Sequence, residues 1–597
     1  MSARHTRSRT PAGRKKRVVK IVLIAVAVLI GWFGIRSAIV AFNLYSAQSL
    51  VTELQSEAAS GDFDAVADTV GTLKLHTISA AAGTADPTWR LAELVPGLGA
   101  NLHAVRMLSE TANDIMVNLA APAADVVAAI DLSERLPETG GFNLEPLAEV
   151  RVIAGKAAPV MADSVSRLST IEAPNLVEPL QKIVIQIDEV VDKVAPLASS
   201  AEPVINVVSA ALGQEGPRNY LLAFQNNAES TALGGSAAAY TLLHTDAGVV
   251  SIADQAGSGD FQEFVPVDVP VDQSAFDLYG SYLTDHINTS TSRPDFPTAA
   301  SIMKAFWERD RGTSVDGVLS LDPIALALML DATGDITLSS GDVLTSENAV
   351  SLLTNGIYFR YPNNEDQPKA DAFFAEAAAT IVGKVMSGDF DIPKMIKAVS
   401  TGVEQGDVLM WSSDTAEQSA LDGMTIQGVL PASNEEETVI GVYYRDTSAS
   451  KIDYYLETAT TTTSDVCASP TNPVFSTAIT LTSTLSKEAA RTLPEYVASR
   501  DWGGTKFRTE VFVYGPIGAT VASSTVRVEG LDTGVTSSTS DLGRPVAAFY
   551  AYLAPGQSTT VDISFVGAPG NYGPLEVRGT PMINPTVKSI DPVASCN

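Results

Sequence analysis

Two adjacent amides, a carboxylate and a pair of glycines follow one another in the segment LLAFQNNAESTALGGSAAAY. Asn226 and Asn227 can each donate and accept hydrogen bonds, and Glu229 can accept them. Gly234 and Gly235 lack a Cβ atom, so they let a neighbouring group approach the backbone closely. This pattern indicates either a ligand site at the end of a strand or a set of amides that only tie loops together.

The segment Asp254–Asp295 is strongly acidic and holds one base, Arg293. Its eight acids are Asp254, Asp260, Glu263, Asp268, Asp272, Asp277, Asp285 and Asp295. In the ligand interpretation, Arg293 and Asp295 join the asparagines around a sugar or a lipid phosphate. Carboxylate oxygens also suit Mg²⁺ or Ca²⁺, which makes Asp254 and Asp260 candidate metal ligands. A solvated acidic loop explains the same composition.

Familiar catalytic motifs are missing from the sequence. It contains no P-loop, no Gly-x-Ser-x-Gly elbow, no His-Glu-x-x-His and no EF-hand loop. His244 and His286 lack the spacing of a catalytic triad and are interpreted as ordinary surface histidines. We therefore expect no catalytic residue and no cofactor.

The N-terminus is basic, whereas the rest of the chain is acidic. Residues 1–42 contain nine Lys or Arg and no acid, although the net charge of the whole chain is -30. An acidic body repels phosphate backbones, so nucleic acid is not an expected partner.

The elements that must position these residues begin with an apolar segment at residues 18–42, interrupted by Lys20 and Arg36. Both side chains can snorkel to the membrane surface, so the segment predicts a retained single-pass anchor, with a cleaved signal peptide as the alternative. The basic excess before it predicts a cytoplasmic tail at 1–17 and an extracellular body.

Hydrophobic patterns divide that body into three regions. Residues 43–205 repeat apolar residues at steps of three and four, which predicts an all-α stalk. Residues 216–400 alternate strand and helix patterns and predict a central α/β domain. Residues 406–597 contain short β-branched segments, which predict an all-β sandwich, with Thr458–Ser464 as a solvated linker or edge. The predicted fold class is therefore multidomain.

Cys467 and Cys596 are the two cysteines of the chain. In an oxidising compartment such a pair predicts a disulfide, and two unpaired thiols are the alternative. Two thiols and five histidines do not favour a structural zinc site.

Six ordered blocks resemble the actinobacterial family called domain of unknown function 4012. They are Tyr220–Ser236, Pro294–Trp307, Val315–Gly334, Leu344–Leu353, Leu409–Gln418 and Ser448–Leu456. The resemblance implies a membrane-anchored envelope protein, associated with surface polysaccharide, and implies no established activity. Ser230 and Thr231 stand where relatives commonly have an arginine, which argues against borrowing an anionic ligand site from them.

The α/β region is also similar in layout to the LytR-CpsA-Psr phosphotransferases, which transfer glycopolymers from polyprenyl pyrophosphate. Their chemistry requires several arginines and a Mg²⁺-binding acid. Arg360 and Lys369 are the remaining candidate cations here, and the paired arginine patterns are missing.

The expected function is therefore a non-catalytic scaffold, or a protein that binds surface polysaccharide or polyprenyl-linked glycan. The alternative is a divergent glycopolymer phosphotransferase or a pyrophosphate-lipid hydrolase, and Mg²⁺ is expected only in that case.

Overall fold

The structure is a computed structural model that describes residues 11–60, 63–129, 141–498, 504–526 and 535–590. The described residues divide into two compact units. One lies within residues 1–131 and 144–208, and the other within residues 132–143 and 209–597.

The first unit is helical, as the apolar periodicity predicts. Its helices are α1 (Pro11–Ser60), α2 (Phe63–Thr84), α3 (Pro87–Ala92), α4 (Gly99–Ile115), α5 (Ala121–Ala129), α6 (Glu145–Leu168) and α7 (Glu178–Ala211). Asp86 caps α3 because its side chain accepts a hydrogen bond from Thr88 N, and Pro87 occupies the first turn. Helix α3 ends at Ala92 and α4 begins at Gly99, so a short connection separates them.

Helix α1 is the part of the described chain that is long and apolar enough to cross a membrane. The candidate span is Ala27–Glu57, and 11% of its most apolar window is buried in the structure. Val28, Ile30 and Phe42 are each more than half exposed. Such exposure of large apolar side chains suits a lipid environment and is weakly consistent with a single-pass anchor.

Two small apolar clusters hold the other helices together. Leu108, Met161 and Val184 bring α4, α6 and α7 together, and Val70 with Met116 joins α2 to the turn after α4. Neither Asn101 nor Asn175 begins a helix, although asparagine favours the N-cap position. Asn101 lies inside α4 and accepts a hydrogen bond from Val177 N at 2.8 Å.

The second unit combines sheets and helices. Its helices are α8 (Gln273–Tyr279), α9 (Tyr282–Asp285), α10 (Phe296–Arg311), α11 (Pro323–Thr333), α12 (Ala349–Ser351), α13 (Ile357–Arg360), α14 (Gln367–Ser387), α15 (Ile392–Gln405) and α16 (Thr415–Ala420). Its first strands are β1 (Arg218–Thr231), β2 (Gly234–Asp246), β3 (Val249–Gly257), β4 (Gly317–Leu321), β5 (Ile336–Thr337), β6 (Val343–Leu344) and β7 (Val408–Ser412). The later strands are β8 (Thr438–Asp446), β9 (Leu456–Ser464), β10 (Val474–Ser483), β11 (Phe507–Tyr514), β12 (Thr520–Val526), β13 (Val535–Asp541), β14 (Arg544–Leu553), β15 (Ser558–Val566), β16 (Leu575–Gly579) and β17 (Val587–Ile590).

The central sheet is mixed, with strand order β3-β2-β1-β4-β7. Strand β1 runs antiparallel to β2 and parallel to β4. Strand β7 lies beyond residue 400 in the sequence and completes this sheet beside β4. Helix α10 buries Phe296, Ile302 and Trp307 completely, and these side chains share one apolar cluster with Leu221 of β1.

The C-terminal region forms two mixed five-stranded sheets, in the orders β12-β15-β10-β9-β17 and β13-β14-β11-β8-β16. Side chains from both sheets, such as Ile479 and Val511, meet in one buried cluster. Each sheet includes one parallel pair, β9 with β17 and β8 with β16.

The prediction for Thr458–Ser464 is wrong. This segment belongs to β9, which lies between β10 and β17 in the sheet. Thr458, Thr460 and Thr462 are buried because alternate side chains of a strand face the same side. Thr477 satisfies the Thr462 hydroxyl at 3.1 Å and Thr586 satisfies that of Thr458 at 2.6 Å, whereas the buried Thr460 hydroxyl has no hydrogen-bond partner among the residues that the structure describes.

Cys467 lies in the described C-terminal region, after β9, whereas Cys596 lies outside the described residues. The disulfide between them therefore stays a prediction.

Candidate functional site

The polar residues of the opening segment lie inside a strand instead of a turn. Strand β1 continues to Thr231, and the reversal into β2 takes place at residues 232–233. The ladder pairs Asn226 with Ser236 and then Ser230 with Gly235, so residues 227–229 bulge out of the pairing. A bulge redirects side chains, and here the side chains of Asn226, Asn227 and Glu229 point to three different sets of neighbours.

Gly235 closes this bulge from the opposite strand. A Cβ atom at Gly235 would meet the carbonyl oxygen of Asn226 at 2.1 Å. Its N–H donates to Gln225 Oε1 at 2.8 Å, while Gln225 Nε2 donates to Ser320 Oγ at 2.6 Å. Gly234 has a φ of 129°, a conformation that favours glycine. The glycine pair thus serves backbone packing at the bulge.

A cavity of about 630 Å³ lies beside the bulge. One part of its wall is apolar and is formed mainly by α14 and the start of α11; it includes Phe224, Leu326, Leu353, Ala372, Phe374 and Ala375. Another part is polar and includes Asn226, Glu229, Asp260, Asp322, Tyr358 and Lys451. The cavity can therefore accommodate a molecule that has both an apolar and a hydroxylated part.

Lys451 is the single Lys or Arg among the described residues that line the cavity. Its ammonium forms an ion pair with Glu229. It also lies 5.1 Å from the ring centre of Tyr358 and 4.6 Å from that of Tyr496. The two rings are nearly parallel, with centres 5.9 Å apart. Asn226 Nδ2 donates to the Tyr358 hydroxyl at 3.0 Å, so the bulge positions the aromatic wall as well.

Two further acids lie behind Glu229. Ser230 Oγ donates to Asp453, which is buried beside Ile452. Burial raises the pKa of Asp453 well above its ordinary value, and the nearby charge of Asp446 adds to the shift. Burial likewise raises the pKa of Asp446 to about 6, although hydrogen bonds from Ser448 oppose the shift. This cluster therefore places two buried carboxyl groups with raised pKa values behind Glu229.

Asn227 faces another buried pair of acids. Its Nδ2 donates to Asp322 Oδ2 at 2.7 Å and to the Pro581 carbonyl at 3.2 Å. Asp322 also caps α11 by accepting from Ile324 N and Ala325 N. Burial raises the pKa of Asp407 to about 10, and the charge of the hydrogen-bonded Asp322 adds to the effect. At neutral pH the pair therefore holds one proton.

Arg293 and Asp295 belong to a separate buried network. The Arg293 guanidinium donates to both oxygens of Asp541, at 2.7 and 3.1 Å, and to Asp272 at 2.9 Å. Burial raises the pKa of Asp541, but the hydrogen bonds and charge of Arg293 outweigh that effect and leave it lowered. Asp295 accepts from Thr298 and from Arg293. This network joins α8, the start of α10 and β13.

The remaining candidates are dispersed. Arg360 forms an exposed two-bond pair with Asp342 at 2.5 and 2.7 Å, and Lys369 pairs with Asp366 at 2.8 Å. Asp254 pairs with Arg311, whereas Asp260 lines the cavity and accepts from Gly257 N. Within the described residues, no group of three or more His, Cys, Asp or Glu side chains is arranged to hold a metal ion.

The structure thus brings Asn226 and Glu229 to one cavity, while the other predicted ligand-binding residues do not line it. Sequence reasoning missed Lys451, Tyr358, Tyr496 and Asp322. Lys451 belongs to the block SASKIDYYL, which carries the family resemblance, and this was the available signal. Its partner Glu229 is 222 residues away in sequence, a separation that no local pattern reveals.

Comparison with known protein families gives a match in the central part of the chain. Residues 215–358 match the family described as "Protein of unknown function (DUF4012)". This match covers β1 to β6 and the segment that contributes Tyr358, and it confirms the family resemblance over these residues. The blocks Leu409–Gln418 and Ser448–Leu456 lie outside the matched range. No curated protein matches the chain.

Proposed function

We propose that this protein is a membrane-anchored, non-catalytic envelope protein that binds a glycan or a lipid-linked glycan in the cavity beside β1. The observation that carries the proposal is the pairing of an apolar wall on α14 with a polar wall centred on Lys451. Hydroxyl groups of a sugar suit the polar wall, and an isoprenoid-like chain suits the apolar wall.

The charge of the cavity supports binding of a weakly charged ligand. Among its lining residues that the structure describes, Lys451 is the single Lys or Arg, and Glu229 neutralises it. A pyrophosphate requires several converging cations in place of one that is already paired. Arg360 and Lys369 are engaged by surface carboxylates.

The test uses the full chain in lipid nanodiscs and a polyprenyl-phosphate-linked hexose as the probe. Lys451→Met alone would leave the Glu229 carboxylate without its ion-pair partner, so it is combined with Glu229→Gln. We expect this double variant to bind the probe about tenfold more weakly, because it lacks the Lys451 ammonium and the hydrogen bond that this group would donate to the probe. Arg360→Ala, which alters a surface ion pair, is the control and should bind as the wild type does.

Binding that is equal in the double variant and the wild type would remove the cavity proposal.

A second candidate function is favoured by Asp322, which lines the cavity and whose pKa is raised by burial. Its neighbour Asp407 lies behind it and has a pKa of about 10, and a paired acid of this kind can supply a general acid. Incubation with Mg²⁺ and polyprenyl-pyrophosphate glycan distinguishes the two. Phosphate release or glycan transfer that Asp322→Asn abolishes would establish the phosphotransferase or hydrolase alternative.

A further inference from the structure

An exposed group of aromatic side chains lies outside the cavity walls. Phe264 is 69% exposed and Tyr282 is 57% exposed. The ring centre of His286 lies 4.5 Å from that of Phe264 and 5.0 Å from that of Tyr282, so His286 contacts both rings. We call these three side chains the aromatic platform. None of them belongs to the cavity lining.

The backbone at Phe264 has a strained conformation. Its φ of 60° lies in the left-handed region, which bulky side chains seldom adopt. Such conformations persist only where the surroundings enforce them, and they are frequent at functional sites. Here the strain holds a large apolar ring in an exposed position instead of burying it.

The surroundings of Phe264 fix this conformation firmly. Phe264 N donates to the Asp285 carbonyl at 3.1 Å. Arg309 donates to the carbonyls of Val265 and Gln262 at 2.6 and 3.0 Å. Helix α9 and His286, the residue after it, are held by Thr289, whose hydroxyl donates to the carbonyls of Tyr282 and His286. Both segments of the platform are therefore preorganised, which lowers the entropy lost on binding.

We propose that the aromatic platform binds a neutral pyranose ring of a glycan chain by stacking. The C–H groups of a sugar face carry small positive partial charges, which the negative π face of an aromatic ring attracts. Glu263 precedes Phe264 and Asp285 precedes His286, so hydrogen-bond acceptors for hydroxyl groups are close in the chain. The same acids repel the anionic head groups of a bilayer, which argues against a membrane contact. This inference does not require a ligand in the cavity.

The test measures saturation-transfer NMR on the full chain in nanodiscs with four neutral probes: cellohexaose, maltohexaose, mannohexaose and galactohexaose. Phe264→Gly removes the ring and also relieves the left-handed strain, so it should weaken binding about fivefold without lowering Tm. Tyr282→Phe keeps the ring and should bind within about twofold of the wild type. Phe359→Ala removes a phenylalanine that is 46% exposed elsewhere and is the matched control.

Three outcomes would overturn the inference. These are binding of none of the four hexasaccharides, equal binding by Phe264→Gly and the wild type, and Phe264-dependent binding of choline chloride without sugar binding. The last outcome would identify a cation site, since aromatic rings beside acids also attract quaternary ammonium groups. Tyr496→Ala, which alters the cavity, separates the two proposals. It should leave the Phe264-dependent binding unchanged even if the cavity proposal fails.

Discussion

The Asp407 carboxyl group carries its proton through neutral pH because it is buried against Asp322. Its pKa in the folded protein is about 10, compared with 3.8 for an ordinary aspartate. Between these values the folded state binds the proton and the unfolded state does not. Stability therefore decreases as pH rises across this window, by at most about 1.4 kcal/mol per pH unit.

Asp407→Asn should remove this pH dependence, since the amide resembles the protonated carboxyl group in shape and can still donate to Asp322. We expect the variant to become more stable relative to the wild type as pH rises from about 5 to 9. Chemical denaturation at several pH values measures the difference. Asp389→Asn alters a carboxylate that is 80% exposed and should give a constant difference. Parallel pH profiles of Asp407→Asn and the wild type would contradict the prediction.

Gly235 provides a second test at the level of one residue. An added Cβ would lie 2.1 Å from Asn226 O and 2.7 Å from Asn227 N, both of which are backbone atoms that cannot rotate away. Gly235→Ala should therefore destabilise the protein by about 3 kcal/mol or more and distort the cavity. Gly383→Ala is the control, because nothing lies within 4 Å of its Cβ position in α14. The control should be neutral or stabilising by about 1 kcal/mol, as thermal unfolding would show.

At the level of elements, the structure contains both strands and helices within residues 216–400, as the sequence pattern predicted. Helix α11 begins with Pro323 and ends before Gly334, and both residues are start and stop signals visible in the sequence. Its cap, Asp322, was not predicted. The ion pair between Glu229 and Lys451 could not be predicted, because Lys451 reaches Glu229 only through the packing of β1 against the segment after β8. Arg293 was misleading for a related reason, since Asp541, its main partner, is 248 residues away.

Strand β9 shows why composition alone misidentified one element. A run of threonines has low hydropathy, yet threonine has high β propensity and its hydroxyl can pair across a sheet. Thr458 Oγ1 lies 2.6 Å from Thr586 Oγ1, so the buried hydroxyl is satisfied. A polar segment can thus occupy the interior of a sheet when its neighbours are threonines as well.

The alternation of β9 gives a testable difference between neighbouring positions. Thr462 is fully buried, whereas Thr461 is exposed. Thr462→Asp should destabilise the unit by about 3 kcal/mol or more, because it buries a charge without a partner. Thr461→Asp should change the free energy of unfolding by less than about 0.5 kcal/mol. Urea denaturation compares the two. Similar effects at both positions would show that this segment does not lie in the sheet as described.

At the level of the whole molecule, charge and hydropathy are unevenly distributed. One described helix, with its candidate span at Ala27–Glu57, is long and apolar enough to cross a membrane. The nine Lys or Arg of residues 1–42 are Arg4, Arg7, Arg9, Arg14, Lys15, Lys16, Arg17, Lys20 and Arg36. The remainder of the chain is acidic, given a net charge of -30 for the whole. This asymmetry is the basis for a prediction of orientation.

We predict that the basic N-terminus stays in the cytoplasm and that the body is exposed outside the cell. Cytoplasmic loops retain Lys and Arg, and seven of the basic residues lie before residue 18. Proteinase K added to intact cells should digest the body, and an antibody to the C-terminus should lose its signal before lysis. A body that resists the protease until the cells are lysed would show that the orientation is opposite to the predicted one. Replacing Arg14, Lys15, Lys16 and Arg17 by glutamine should lower the digested fraction, because orientation depends on these charges.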